Sequence, residues 1–342
     1  MIKKFLAVLI STALLSGAAF AATLNGAGAT FPYPIYVKWN SIYSNKTGVQ
    51  VNYQGIGSGG GIRQFSSGVV DFGGSDAPLT EAQIDAAGGD VLHIPTVMGA
   101  VVVSYNLQGV SGLKLDSDVL AGIFLGKIKN WNDPAVAALN PGENFPDKAI
   151  LVAHRSDGSG TTSIFTDYLA KVSLKWASQV GAGTAVSWPA GVGGKGNAGV
   201  AGQIKVNDGA IGYVELSYAM TNNLSVAALK NKAGRYIVPT LDSTSAAADG
   251  AMASSKIKKM ISSGDFRLNL NNAPGVDSYP IVGMTWILVH KNQKDAEKGR
   301  ALVDYLKWIL SDGQQYVSEL LYAPLPSSVR SKVLNAVNGI KI

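Results

Sequence analysis

Short apolar runs recur along the chain, most of them ending in glycine and hydroxyl residues, and a segment with helical spacing of apolar positions follows nearly every one. Leu24 to Phe31 (LNGAGATF) is the first. Beyond it Tyr36, Trp39 and Tyr43 share one face of a helix predicted over Tyr33 to Tyr43, with Thr30 as its cap and the rings in the core. Val49 to Tyr53 alternates like a strand and enters Gly55 to Gly61 (GIGSGGG), where another helix starts. Val69 to Asp76 ends in Gly-Gly-Ser-Asp, and a helix begins at Glu81. Val91 to Tyr105 reads as two strands, Val97 to Tyr105 being the most β-like run in the sequence.

The middle of the chain continues the pattern. Helices are predicted over Asp116 to Leu125 and Asp133 to Leu139, a strand over Ala149 to Ala153 and an amphipathic segment over Ser163 to Val172. Trp188 to Gly202 reads as a glycine-rich loop entering a helix near Val200, and Gly209 to Leu216 as a strand. Ser243 to Ala253 is low in complexity and is expected to be a surface loop before a helix over Lys256 to Ile261. Tyr279 to His290 supplies a long strand, and Lys294 to Ser311 and Gln314 to Leu321 read as helices. Strands alternating with helices argue for α/β domains.

Composition refines this picture. The sequence opens MIKK, follows with an almost wholly apolar Phe5 to Leu15, and reaches Ala19-Phe20-Ala21, the three regions of a secretory signal peptide. The mature chain should begin near Ala22, and about 320 residues then call for two domains. The absence of cysteine rules out disulfides, thiolate metal sites and a lipid-modified N-terminal cysteine. An exported protein without a lipid anchor is retained by an outer membrane, which places it in a periplasm. Removing Lys3 and Lys4 from 29 basic side chains leaves 27 against 23 acidic, a net of +4. The basic residues form no cluster with interleaved aromatics, so nucleic acid is not an expected partner. His93, His154 and His290 each stand alone and read as structural.

The densest chemistry lies in Arg155 to Thr162 (RSDGSGTT), a turn from strand to helix. Ser159, Thr161 and Thr162 suit an N-cap or first turn, while Gly158 and Gly160 leave backbone N–H groups bare. A helix N-terminus with free amides is an anion site. Arg155 adds a fork of donors for phosphate or carboxylate, and Asp157 is placed to hold that guanidinium. An ordinary capped helix after a surface turn is the alternative reading. Asp76 falls at the carboxyl end of a strand, where open α/β sheets place ligands, or else caps the turn around Pro78. Gly55, Gly57 and Gly60 formally match a dinucleotide fingerprint with Asp71 as its acid, a weak match in a chain of 40 glycines. Gly193 to Gly196 (GGKG) fails the phosphate-loop pattern.

Three separated loops share one design, in which a strand ends, small residues follow and a helix opens with hydroxyls at its tip. GAGATFP, YQGIGSGGG with FGGSDAP, and RSDGSGTT closely resemble the periplasmic phosphate-binding proteins of the ABC-type phosphate uptake system, the PstS family. The resemblance covers nearly the whole mature chain, through IPTVMGAVVVSYN, LGKIKNWND, GVGGKGN, GAIGYVE and LPSSV in the family's order. It implies phosphate ligands at Thr30, Phe31, Ser58, Asp76, Arg155, Asp157, Ser159, Gly160 and Thr161. His154 stands where another basic residue is common, and Gly59 where a second serine is common. The implied fold is the type II periplasmic-binding-protein fold, α/β with two lobes, two hinge strands and the anion in the cleft. Residues 22–103 with 284–342 would form lobe I and residues 104–283 lobe II, with VVVSY and GMTWILV as hinges.

The leading expectation is a monomeric, non-enzymatic periplasmic carrier that captures inorganic phosphate and delivers it to an inner-membrane ABC permease, with no cofactor and no metal. A secreted phosphatase or phosphoryl-transfer enzyme would want a metal pair or a nucleophile with a poised acid, for which the sequence offers no cluster. A carrier of another oxyanion such as sulfate is the third reading, and Asp76 argues against it.

Overall fold

The computed structural model describes residues 22–342, and the signal-peptide stretch, residues 1–21, lies outside the described residues. The chain opens with strand β1 (Thr23–Gly28), helix α1 (Tyr33–Thr47), β2 (Gln50–Gly55), α2 (Ser58–Ser66), β3 (Phe72–Ser75) and α3 (Glu81–Ala86). β1 lies between β2 and β3, parallel to both, and its Gly28 is in register with Gly55 and Gly74. The three strands therefore end at one level, and the loops that follow them sit side by side. Gly28 permits this closeness: its φ is +151°, and a β-carbon there would meet the Gly74 carbonyl oxygen at 2.0 Å. Tyr36, Trp39 and Tyr43 are buried as their spacing required. Thr30 does not cap α1, however. Pro32 occupies the N-cap, and the Thr30 hydroxyl is engaged across the molecule.

The long β4 (Val91–Asn106) is followed by β5 (Lys114–Leu115), α4 (Ser117–Phe124), α5 (Pro134–Leu139), β6 (Leu151–Arg155), α6 (Gly160–Val172) and α7 (Leu174–Gln179). Next come β7 (Val192–Gly194), α8 (Gly196–Val206), β8 (Ala210–Glu215) and α9 (Leu216–Thr221). Short strands β9 (Ser225–Val226), β10 (Ala228–Lys230) and β11 (Tyr236–Ile237) precede α10 (Leu241–Met252) and α11 (Ser255–Ser262). β12 (Val282–His290), α12 (Ala296–Leu310) and α13 (Ser327–Asn338) come last.

The main sheet runs β2-β1-β3-β12-β4-β8-β6-β7, with β9 also on β4, and it divides into two α/β lobes that share β4. From Val91 to Ala100 that strand pairs antiparallel with β12, and from Val101 to Asn106 with β8. At the changeover Val101 N–H donates to the Ile281 carbonyl at 2.9 Å. β4 is one strand of 16 residues where the sequence suggested two. Pro95 does not break it, because the register with β12 shifts between Thr285 and Trp286, and the missing N–H falls at that bulge.

Three further expectations need correction. Ser243 to Met252 lies within helix α10, with Ala253 as its C-cap: Thr240 and Ser243 form a capping box, and Ala247, Ala248 and Ala251 are buried. Alanine is the best helix former, and its methyl lets the helix pack closely. The glycine-rich loop contains β7, paired with β6, and α8 starts at Gly196 rather than near Val200. Gln314 to Leu321 forms two 3₁₀ turns, Asp312–Tyr316 and Ser318–Leu320, and Leu321 takes a left-handed φ of 63°. The Gln314 side chain explains the departure: it donates to the Thr96 and Ile309 carbonyls and accepts from Leu325 N–H, fixing the segment as a tie.

Candidate anion-binding site

Ser159 is the N-cap of α6, its hydroxyl accepting from Thr162 N–H at 3.0 Å, so the first turn of that helix is built as its sequence predicted. Ser58 opens α2 in the opposite lobe. The two helix starts meet: Gly160 N–H donates to Ser58 Oγ at 3.0 Å, and Gly59 N–H donates to the Gly158 carbonyl at 2.9 Å. Thr30, Phe31, Ser58, Asp76, Arg155, Ser159 and Thr161 are all at most 9 % exposed, so the cluster is dry. Among the described residues, the N–H groups of Phe31, Ser58 and Thr161 have no protein acceptor. Ser58 and Thr161 lie in the first turns of their helices, where the backbone offers donors without taking them up.

Arg155, at the end of β6, is held by Asp157 through a two-pronged pair: Nε donates to Oδ1 at 2.8 Å and Nη2 to Oδ2 at 2.6 Å. Its remaining nitrogen, Nη1, reaches Thr161 Oγ1 at 3.3 Å. Gly196 N–H donates to Asp157 Oδ1 at 3.0 Å. Burial pushes the Asp157 carboxyl up, but the Arg155 pair and the backbone donors outweigh it and hold the group below its ordinary value. Both oxygens of Asp157 are thus engaged, and its role in this arrangement is to aim Arg155.

Asp76 follows β3 and does not cap the Pro78 turn, a task that falls to Ser75, whose hydroxyl bonds both Ala77 N–H and the Ala77 carbonyl. Its Oδ1 accepts from Thr285 Oγ at 2.7 Å, while Oδ2 has only the long 3.4 Å approach of Ser58 Oγ. Burial pushes its carboxyl up to about 7, against the lowering effect of Thr285, Arg155 and Ser58. Asp76 also borders a cavity of about 240 Å³ lined by Ser163, Ile164, Asp167, Arg267 and Met284, which neither Arg155 nor the stretch from Ser159 to Thr162 reaches.

The sequence reading missed several residues that complete the cluster. Asn197, in the quoted GVGGKGN stretch, donates its side-chain amide to Thr30 Oγ1 at 2.9 Å and to Thr161 Oγ1 at 3.1 Å. Tyr218 Oη donates to the Thr30 carbonyl at 2.6 Å. Because the peptide is trans, fixing that carbonyl sends the Phe31 N–H the opposite way. Thr285 and Tyr322 lie far along the chain, and only folding reveals them. Asp71, the acid of the dinucleotide alternative, instead accepts from Asn25 N–H and Lys298. The histidines sit in packing roles: His93 accepts from Leu79 N–H, His154 stacks on Trp188 and His290 on Phe65. Among the described residues no three His, Asp or Glu side chains gather as a metal cluster.

Two lobes sharing strands across a cleft, with helix N-termini meeting over it, define the class of solute-binding proteins, and residues 16–313 match the PBP superfamily domain. Over 330 residues the chain is 46% identical to the phosphate-binding protein PstS of Pasteurella multocida, covering 96% of this chain and 93% of that protein. PstS of Xylella fastidiosa is 45% identical over 312 residues, covering 91% and 83%. The chain belongs to the PstS family of phosphate-binding proteins. In fold it is similar to a high-affinity periplasmic phosphate-binding protein (PfluDING) solved with phosphate, at a TM-score of 0.72, 22% identity and coverage of 94% and 99%. It is similar also to a phosphate-binding protein from Stenotrophomonas maltophilia, at a TM-score of 0.70, 20% identity and coverage of 92% and 93%.

Proposed function

We propose that this protein captures inorganic phosphate between its lobes and hands it to an inner-membrane ABC permease, acting as a monomeric, non-enzymatic periplasmic carrier. The observation that carries this reading is the dry cluster in which bare N–H groups, a clamped arginine and one buried carboxylate converge from four segments. Thr30, Phe31, Ser58, Arg155, Ser159, Gly160 and Thr161 donate to the anion, Asp157 holds Arg155, and Asp76 accepts the phosphate proton. Such donors neutralise an oxyanion without a metal. The lobes are residues 22–103 with 284–342, and 104–283. This division is supported by the change of partner along β4 at Ala100 and Val101. Names of PstS relatives support the substrate, and the signal-peptide pattern supports export.

Calorimetric titration with phosphate, run beside an assay of phosphate release from a chromogenic ester, tests the reading. Tight 1:1 binding without turnover is expected. Ester hydrolysis, or no heat of binding, would overturn it.

A further inference from the structure

Glu215 ends β8 and caps α9, and no part of it reaches solvent. Its Oε2 accepts from Ser217 N–H at 2.9 Å, contacts Ser217 Oγ, and lies 3.1 Å from Tyr322 Oη. Its Oε1 is buried without a partner. Tyr322 belongs to the other lobe, and its single hydroxyl also lies 2.6 Å from the Phe31 carbonyl, in the first of the anion loops. The Glu215 N–H meanwhile donates to Asn197 Oδ1 at 2.9 Å, which turns the Asn197 amide toward Thr30 and Thr161. One residue thus sits at a junction of both lobes and of two anion loops.

The Phe31 carbonyl can only accept, so at 2.6 Å it takes the Tyr322 proton. Tyr322 Oη then presents lone pairs to Glu215 Oε2 and to Ser217 Oγ, 3.3 Å away, and the contact with Glu215 is satisfied when the carboxyl is neutral and donates. The chain runs from Glu215 to Tyr322 to the Phe31 carbonyl. An ionised Glu215 would instead draw the tyrosine proton to itself and leave a buried carbonyl unpaired.

We propose that neutral Glu215 is a positioning residue that, through Tyr322, holds the Thr30–Phe31 loop in its anion-binding form and clasps the lobes, and that its ionisation loosens the clasp. This inference rests on the phosphate-binding reading above. Burial pushes the Glu215 carboxyl up to about 8, against the lowering hydrogen bonds from Ser217 and Tyr322, and Asp76 adds to the rise. The titratable groups facing it are Tyr322, Tyr218 and Asp76. Burial raises both tyrosines well above their ordinary value, so they stay neutral in this range.

The test is phosphate affinity by calorimetry from about pH 6 to about pH 10 for the wild type, Glu215→Gln and Tyr322→Phe. Glutamine does not ionise, and its amide can face Tyr322 only by giving up the Ser217 N–H bond, so whatever its affinity at neutral pH, that affinity should hold above about pH 8 while the wild type falls away by about tenfold more. Tyr322→Phe keeps the ring beside Phe31 and breaks the relay; it should bind about tenfold more weakly at neutral pH and lose the extra alkaline decline. Parallel profiles for the wild type and Glu215→Gln, or an unaltered profile for Tyr322→Phe, would overturn the relay while leaving phosphate binding in place. A wild type that binds no phosphate at any pH would instead defeat the carrier reading itself.

Discussion

Replacing Asp76 by Asn removes a charge from the one acceptor in a cluster of donors, with little change of size. Ionised, the carboxylate can only accept. Phosphate near neutral pH brings a proton to it, whereas sulfate brings lone pairs. Thr285 already serves Oδ1 at 2.7 Å, so the oxygen facing the anion is Oδ2, which has only the 3.4 Å approach of Ser58. An unmatched buried acceptor costs about 1 to 3 kcal/mol, and more when charged. Sites built on such a match reject the wrong partner by about 10⁴- to 10⁵-fold. Asparagine can keep its oxygen on Thr285 and turn its N–H toward the anion. Competition titrations at about pH 9, where Asp76 is ionised, should show the preference for phosphate over sulfate shrinking by at least about a hundredfold, with phosphate itself weakened by less than about tenfold. The raised carboxyl adds a second signature. With Asp76 near 7, sulfate binds the wild type above that pH only as Asp76 takes up a proton from solvent, so its affinity should rise about tenfold for each unit of acidification and level off below about pH 7. The Asn variant should show no such slope. Equal exclusion of sulfate by both proteins would refute the assignment.

Arg155→Ala loses charge-assisted bonds and leaves Asp157 unpaired; a cost of about 2 to 4 kcal/mol predicts phosphate binding weakened about 30- to 700-fold by calorimetry. At Gly160 a β-carbon would meet Ser58 Oγ at 2.5 Å and Asp76 Cβ at 2.6 Å, both in the opposite lobe. Gly160→Ala should therefore fold with ligand-free stability unchanged within about 0.5 kcal/mol while phosphate affinity falls about a hundredfold or more, as read by thermal melts and titration. Asp76 and Glu215 are pushed up from 3.8 to about 7 and from 4.5 to about 8, so each binds a proton more readily in the fold than in the unfolded chain. Their ionisation lowers stability as pH rises. Acidifying ligand-free protein from about pH 8.5 to about pH 6.5 should raise stability by about 1.5 to 2.5 kcal/mol, the three histidines, all lowered in the fold, offsetting part of the gain as they begin to protonate in the unfolded chain; a flat melting profile would contradict this.

Local chemistry was the legible part. Ser159 as a helix cap, the Arg155–Asp157 pair and Asp76 at a strand end could be read because each depends on neighbours a few residues away. Partners contributed from a distance could not be placed that way. Asn197 reaches Thr30 across 167 positions, and Tyr322 reaches Glu215 across 107. Neither has a local pattern that reveals its target, although both stretches around Asn197 and Glu215 were noticed as family motifs. Helix α10 was misread for a different reason. Its run of Ser, Thr and Ala lacks the large apolar residues that mark a buried face, yet Ala247, Ala248 and Ala251 form one by close approach. β4 is one strand and not the two expected over Val91 to Tyr105, and the bulge in β12 that accommodates Pro95 leaves no trace in the sequence around the proline.

β12 lies between β3 and β4 in the sheet although its residues stand about 180 to 215 positions along the chain from the partners they pair with. The first lobe accordingly lacks an inner strand until the segment beyond Ile281 has been made, and β3 and β4 are not paired with each other meanwhile. Closing so long a loop is slow, since its entropy must be lost before the pairing rewards it. Strand order alone thus sets the two lobes apart in time: the second, whose strands β4, β8, β6 and β7 have all been made by Glu215, can close while the first still waits for β12.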